Sequence, residues 1–233
     1  MSEPVRRFYK AARVSDDVAG VMLDERRLRT PKGAPFVAPT RALSEAIAAE
    51  WHAQGEHIVP ASMPLTQFAF AALDHMPERR AALVEHVAKY GETDLVSHRA
   101  DAPATLVARQ ALHWDPIAAW GAGELGVALP VAIGVTPTRP DAAVIDMLRA
   151  HAAALDDFRL TGLAQATGLS GSALVAFALA RGELDAARAF EAAFLDDLYQ
   201  LETWGEDAEA RARVERARAE FAALEAFFRA LDR

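Results

Sequence analysis

The sequence predicts an α+β protein, in which a small N-terminal β-rich domain (residues 1–60) precedes a larger all-helical C-terminal domain (residues 61–233). Up to Val37 the chain consists of short apolar runs separated by turn-forming residues, which favours an antiparallel meander. Beyond Pro60 the composition changes to alanine-rich segments with helical periodicity. With 233 residues, 52% of them hydrophobic, the chain is long enough to fold around a sizeable core.

Three strand-like runs and one helix make up the predicted N-terminal domain. The strand-like runs cover residues 8–14, 18–23 and 27–30. Thr40 then occupies an N-cap position, and apolar residues recur every four positions from Leu43 to Trp51. We therefore expect an amphipathic helix over residues 40–54 that ends at Gly55 and packs one face on the sheet. In this interpretation Trp51 belongs to the core.

The predicted helical domain is interrupted by loops at Gly91, 101–103, 121–126 and 130–140. Apolar residues at positions 190, 194, 198 and 201 follow one helical face. A final helix carries a longer stripe, which consists of Val214, Ala217, Phe221, Leu224, Phe228 and Leu231. A stripe of so few heptads predicts a helix packed on its own domain rather than a coiled coil.

Composition excludes several classes of protein. The net charge of −8 argues against nucleic acid as a partner, because phosphate binding needs concentrated Lys and Arg. No apolar run is long enough to insert into a membrane, and the absence of cysteine excludes disulfides and thiolate nucleophiles. The N-terminal sequence resembles neither a signal peptide nor an Arg-rich transit peptide, so we expect a cytoplasmic protein.

Two glycine motifs resemble a dinucleotide-binding site and a nucleophile elbow, but the surrounding sequence does not support either site. Gly121, Gly123 and Gly126 match the G-x-G-x-x-G dinucleotide fingerprint, but a short helix from Asp115, rather than a strand, is predicted before them. Around Ser170 the sequence GLSGS resembles a nucleophile elbow, yet it lacks the final glycine and the preceding strand. There, Ser170 or Ser172 is better explained as the N-cap of an apolar helix that runs to Ala180.

One cluster of polar residues offers groups for acid–base chemistry. Its members are Glu92, Asp94, His98, Arg99 and Asp101. They support an alternative function as a hydrolase, although such a cluster beside a glycine also serves to cap helices and pair charges. The seven histidines form no metal-binding spacing, so we predict no metal, no cofactor and no catalytic residues.

An acidic segment remains, DDLYQLETWGEDAEA, which starts at Asp196 and combines six carboxylates with no Lys, Arg or His. In one interpretation Leu198 and Leu201 face the core, Gly205 ends the helix and the carboxylates are a solvated face. In the other the segment is a recognition surface, with rigid aromatic area and carboxylates that steer a basic partner. The candidate partner-binding residues are Tyr199, Glu202, Trp204, Glu206 and Asp207.

Five blocks of sequence, spread in order over nearly the whole chain, are distinctive in combination. They are VMLDERRLRTPKGAPFVAPTRALSEAIAAEW (21–51), MPLTQFAFAALD (63–74), YGETDLVSHRAD (90–101), LTGLAQATGLSGSALVAFALARGELD (160–185) and LETWGEDAEA (201–210). These blocks closely resemble the ATP-twelve chaperone family, whose members are assembly factors for the soluble catalytic head of F-type ATP synthase.

The resemblance implies a two-domain chaperone that is not an enzyme. It implies binding to the newly made alpha subunit of the catalytic head before that subunit pairs with beta, which keeps alpha from aggregating. Relatives occur in mitochondria and in bacteria, and we expect this chain to be a bacterial, cytoplasmic and monomeric member. Since no nucleotide motif is present, we expect release by competition with beta rather than by ATP hydrolysis.

Overall fold

The computed structural model describes residues 5–16, 19–134, 138–205 and 208–232, with Trp204 described by its backbone alone. The strands are β1 (Ala12–Val14), β2 (Val21–Leu23), β3 (Arg26–Arg27), β4 (His98–Arg99) and β5 (Ala132–Ile133). The helices are α1 (Arg41–His52), α2 (Pro64–Tyr90), α3 (Ala104–Glu124), α4 (Ala142–Ala153), α5 (Asp157–Ser170), α6 (Ala173–Ala180), α7 (Ala186–Ala193), α8 (Leu195–Trp204) and α9 (Ala208–Leu231). A small sheet followed by mostly helical structure confirms the α+β prediction.

The N-terminal sheet is the predicted antiparallel meander, in the order β1-β2-β3. Its first strand is shorter than the predicted run of residues 8–14. The Asp24 carboxylate accepts hydrogen bonds from the backbone N–H groups of Lys10 (3.0 Å) and Ala11 (2.9 Å), so these donors bind a side chain instead of a strand. Phe8, predicted within the strand, is 60% exposed.

Helix α1 packs its apolar stripe into the core, as predicted. Leu43 and Ile47 are fully buried and Trp51 is nearly so. The Thr40 hydroxyl oxygen accepts a hydrogen bond from the Leu43 backbone N–H (3.1 Å), which confirms the N-cap. The same hydroxyl donates to the carbonyl oxygen of Ala230 in α9 (2.6 Å), so this single side chain joins the start of α1 to the end of α9.

Replacing Thr40 with alanine is expected to lower the free energy of unfolding by about 1–2 kcal/mol, because both the cap and the bond to α9 are lost. Urea unfolding followed by circular dichroism measures the change. Thr203→Ala is the matched control, since among the described residues its exposed hydroxyl bonds only a carbonyl oxygen in its own helix, that of Tyr199. A Thr40→Ala loss no larger than that of the control would contradict the bridging role.

Helix α3 corrects the prediction of a short helix that begins at Asp115. The helix is continuous from Ala104 to Glu124, with Pro116 inside it. Gly121 continues the helix instead of starting a loop, and a Cβ atom at this position would lie 2.7 Å from the Leu174 side chain of α6. Close packing of α3 on α6 therefore requires this glycine. A helix leads into the G-x-G-x-x-G motif, which confirms that the strand of a dinucleotide site is missing there.

The apolar run at positions 190–201 is divided between two helices, whereas the sequence predicted one. Phe194 leaves helical geometry (φ −106°, ψ 16°) and separates α7 from α8. Leu198 and Leu201 are only partly buried. By contrast, the whole stripe of α9 is buried within the chain, which confirms that this helix packs on its own protein.

Contacts cross the predicted domain boundary near Pro60. The buried apolar side chains form one contiguous cluster that extends from Tyr9 to α9. The Thr30 hydroxyl donates to the Asp74 carboxylate (2.6 Å), and the Glu50 carboxylate accepts hydrogen bonds from the first turn of α2. The division into residues 1–60 and 61–233 stays a prediction about folding units.

The helical part also contains one short parallel pair of strands, β4 and β5. It joins the segment before α3 to the segment before α4, and the Gly134 backbone N–H extends the pair by donating to the carbonyl oxygen of Arg99 (2.9 Å). Two residues per strand carry too little periodicity to be predicted from sequence.

Candidate functional site

The acidic segment forms most of helix α8, includes Gly205 at its end and reaches the first residues of α9. The helix ends at Gly205, whose φ of 92° lies in the left-handed region that favours glycine. This confirms the prediction that Gly205 ends the helix. Glu206, Asp207 and the side chain of Trp204, all candidate binding residues, lie outside the described part of the chain.

Side chains of α3 hold α8 along its length. The Gln110 amide donates to the Asp196 carboxylate (2.8 Å), and the hydroxyl groups of Thr105 and Tyr199 are 2.7 Å apart. One turn further along α8, the Arg109 guanidinium donates two hydrogen bonds to the Glu202 carboxylate, at 2.7 and 2.9 Å. A bidentate pair of this kind fixes the relative orientation of two helices as well as attracting them.

The charges of α8 are therefore partly compensated, although its own sequence contains no basic residue. Hydrogen bonds from Arg109 hold the pKa of Glu202 below its usual value. Asp197 is paired with Arg213 of α9 at 2.6 Å. Tyr199 and Glu202, predicted as contact residues, thus also attach α8 to α3. Their outer atoms remain accessible, since more than half of the Glu202 side chain is exposed.

Sequence reasoning missed the basic partners because they lie far along the chain; Arg109 precedes Glu202 by 93 positions. A local signal existed, since Thr105 and Arg109 are four residues apart on one face of α3. Tyr199 and Glu202 are three residues apart on α8, and spacings of three and four both place two side chains on one helical face. Two faces with complementary polar groups at matching spacing indicate neighbouring helices, but they do not identify which helices pair.

The acid–base cluster is built around a buried structural carboxylate. Asp94 is fully buried, and its carboxylate accepts hydrogen bonds from the Ser172 hydroxyl (2.6 Å) and the backbone N–H groups of Val96 and Leu174 (3.2 Å each). Burial raises the pKa of Asp94 to about 6, against the lowering effect of these bonds. Ser172 in turn caps α6, as predicted, by accepting from the Val175 backbone N–H.

The other members of that cluster separate. Arg99 pairs with Asp115 (2.8 Å) and lies over the Trp114 ring. Glu92 and His98 line a cleft of about 570 Å³, together with Arg139 and Arg149. Asp101 lies elsewhere, beside Gly134. Of the five residues, Glu92 and His98 thus line one common cleft, whereas Asp94, Arg99 and Asp101 lie apart from it.

The part of the chain that the structure describes contains neither a metal-binding cluster nor a membrane-spanning helix. In those residues no three or more His, Asp or Glu side chains gather closely enough to hold a metal ion. Within the same described ranges, no helix combines the length and apolar character needed to cross a membrane.

The polar groups selected from the sequence thus join α8 to its neighbours, enclose Asp94 or line the cleft at Glu92 and His98. Comparison with known proteins defines the family. The family model described as ATP12 chaperone protein matches residues 6–122, about half of the chain. The chain belongs to the ATP12 chaperone family.

Solved structures and a curated relative agree with that assignment. The crystal structure of Atp12 from Paracoccus denitrificans superimposes with a TM-score of 0.91 at 40% identity, covering 97% of this chain and 98% of the other. A protein from Agrobacterium tumefaciens superimposes with a TM-score of 0.89 at 33% identity, covering 97% and 86%. Protein atp12, mitochondrial, from Schizosaccharomyces pombe is 24% identical over 214 residues, which are 86% of this chain and 74% of that protein.

Proposed function

We propose that this protein is an assembly chaperone of the F-type ATP synthase, and that it binds the unassembled alpha subunit of the catalytic head until alpha pairs with beta. Membership of the ATP12 chaperone family is the observation that carries the proposal. Alpha and beta meet through large, partly apolar interfaces, so unpaired alpha exposes surface that promotes self-association. A monomeric protein in a bacterial cytoplasm that covers this surface would prevent aggregation.

We propose the outer face of α8, together with residues 205–207, as the contact surface for alpha. The candidate residues remain Tyr199, Glu202, Trp204, Glu206 and Asp207. The bonds to α3 support this role, because a contact surface is more effective when its side chains are held in place before binding. Polar and charged contacts also permit release, since beta can compete for alpha without separating an extensive apolar core.

The test exchanges the charges of the Arg109–Glu202 pair. A simple Glu202→Lys variant would place two cations together and disturb α8, so its effect on binding would be ambiguous. Arg109→Glu combined with Glu202→Arg keeps the pair and reverses the charge presented by α8. The matched control exchanges an exposed pair on α1, Arg41→Glu with Glu45→Arg, whose guanidinium and carboxylate groups lie 3.0 Å apart.

Purified alpha subunit is captured by each variant, and the bound amount is measured over a range of alpha concentrations. We expect the exchange on α8 to weaken binding about tenfold or more, because the carboxylate that faces the partner becomes a cation. The control should bind like wild type. Undiminished binding by a folded α8 variant would exclude Glu202 as a contact, whereas no saturable binding by wild type would overturn the proposed partner.

A further inference from the structure

Helix α3 carries one buried polar residue in an otherwise non-polar stripe. Its buried positions are Gln110, Trp114, Ile117 and Gly121, which follow the three- and four-residue spacing of a single helical face. Gln110 is only 2% exposed. An amide that is buried without hydrogen bonds costs free energy that an apolar side chain would not, so both ends of this side chain need partners.

Both ends of the Gln110 amide are hydrogen-bonded, to two elements that are distant in sequence. The carbonyl oxygen accepts from the backbone N–H of Ala100, directly after β4 (2.8 Å). The NH2 group donates to the Asp196 carboxylate in the first turn of α8 (2.8 Å). A backbone N–H only donates and an ionised carboxylate only accepts, so a single orientation of the amide fits. The position therefore requires one acceptor and one donor on the same planar group, which glutamine supplies.

Two ion pairs that also hold α8 lie at the surface. In the pair between Arg109 and Glu202, more than half of the Glu202 side chain is exposed. In the pair between Asp197 and Arg213, the same is true of the Arg213 side chain. Exposed pairs contribute little because water competes for both charges, whereas a hydrogen bond from a buried donor to a charged acceptor is stronger. We therefore expect Gln110 to hold α8 more firmly than either ion pair.

The bond to Gln110 is placed where it controls the orientation of α8. Asp196, Tyr199 and Glu202 follow each other at three-residue intervals, and each bonds a side chain of α3. Asp196 is in the first turn, where α8 begins after the break at Phe194. Fixing this turn sets the rotation of α8 about its axis, and thereby the atoms of Tyr199 and Glu202 that face solvent.

We propose that Gln110 is a positioning residue for the contact surface on α8, a role that rests on the proposed function. It fastens the first turn of α8 to the end of β4 and so holds the candidate contact residues, among them Tyr199 and Glu202, in the orientation that the alpha subunit meets. A surface that is ordered before binding loses less conformational entropy when the partner arrives. Breaking this tie weakens binding while the rest of the chain stays folded.

Gln110→Glu tests this role because it changes one group of the amide. The donor to Asp196 becomes a second acceptor, while the oxygen that faces Ala100 remains. Combining Gln110→Glu with Asp196→Asn is the rescue variant, because asparagine returns the donor from the α8 side and the total charge equals that of wild type. Gln165→Glu is the matched control, since it makes the same change at an exposed glutamine of α5.

Hydrogen exchange of the backbone amides, followed by mass spectrometry, measures how firmly α8 is held in the free chain. In Gln110→Glu we expect the amides of α8 to exchange about tenfold faster or more, whereas those of the buried helix α6 keep their wild-type rates. The rescue variant should return α8 to within about threefold of wild type, and Gln165→Glu should change neither helix. Asp196→Ala breaks the same bond from its partly exposed side and replaces Gln110→Glu in the test if that variant does not fold.

Capture of purified alpha subunit by the full chain is the second measurement. We expect Gln110→Glu to bind about fivefold more weakly or worse, and the rescue variant to bind within about twofold of wild type. Unchanged exchange in α8, or equally faster exchange in α6, would show that Gln110 does not hold α8 specifically. Faster exchange in α8 with undiminished binding would reduce Gln110 to a structural residue and overturn the proposal.

Failure of the proposed function gives a different result. Wild type would then show no saturable binding of alpha, whereas the exchange rates of α8 would still respond to Gln110→Glu and to its rescue. The two measurements therefore separate an error about the partner from an error about the positioning residue.

Discussion

Replacing Trp114 with alanine is expected to lower the free energy of unfolding by about 3–5 kcal/mol. Trp114 is fully buried in α3, and its indole N–H donates to the carbonyl oxygen of Ala192 in α7 (2.8 Å). The Arg99 guanidinium lies over the ring, 5.3 Å from its centroid. Alanine would leave a cavity and also remove the donor of a buried carbonyl group, so two costs add.

Urea unfolding of wild type and variant, followed by far-ultraviolet circular dichroism, measures this loss. Leu112→Ala is the matched control, because Leu112 lies in the same helix but is 73% exposed. We expect the control to change stability by less than about 0.5 kcal/mol. A Trp114→Ala loss below about 1 kcal/mol would show that α3 does not depend on this contact.

Elements set by local interactions could be predicted from the sequence. Thr40 and Ser172 cap helices, because each cap needs only a hydroxyl group and a backbone N–H three residues later. The stripe of α9 was likewise predictable, since one helix generates the whole periodicity. The end of α8 at Gly205 was predictable because left-handed geometry costs glycine little.

Elements that depend on distant parts of the chain could not be predicted. Pro116 and Gly121 are poor helix residues, yet packing of α3 on its neighbours keeps both within one helix. Phe194 continues the local periodicity but leaves helical geometry, so the division between α7 and α8 has no local signal. The carboxylates of α8 were sufficient to predict a candidate surface from the sequence. Their arginine partners on α3 and α9 are distant in sequence and are identified only by the folded structure.

The same limit applies to the acid–base cluster. Its sequence gathers titratable residues within ten positions, which is compatible with catalysis and with capping. Burial distinguishes the two roles, and burial is a property of the fold. Asp94 is enclosed and hydrogen-bonded to backbone and hydroxyl donors, so this carboxylate fastens the turn before β4 to the start of α6.

Asp94→Ala is accordingly expected to lower the free energy of unfolding by about 2–4 kcal/mol at neutral pH. The variant leaves the Ser172 hydroxyl and the N–H groups of Val96 and Leu174 without their acceptor in a water-free environment. Asp101→Ala is the matched control, because Asp101 is an exposed aspartate in the same segment. Equal losses in the two variants would refute a structural role for Asp94.

The stability difference between wild type and Asp94→Ala should also depend on pH. Burial raises the pKa of Asp94 from 3.8 to about 6 in the folded state, so the protonated carboxyl group favours folding. This stabilisation is complete below pH 3.8 and is lost as the pH rises through 6. Alanine does not titrate, and the difference should therefore be about 2 kcal/mol larger at pH 4.5 than at pH 7. Urea unfolding of both proteins at the two pH values measures it. A difference that grows with pH instead would mean that the hydrogen bonds to the charged carboxylate outweigh its loss of hydration.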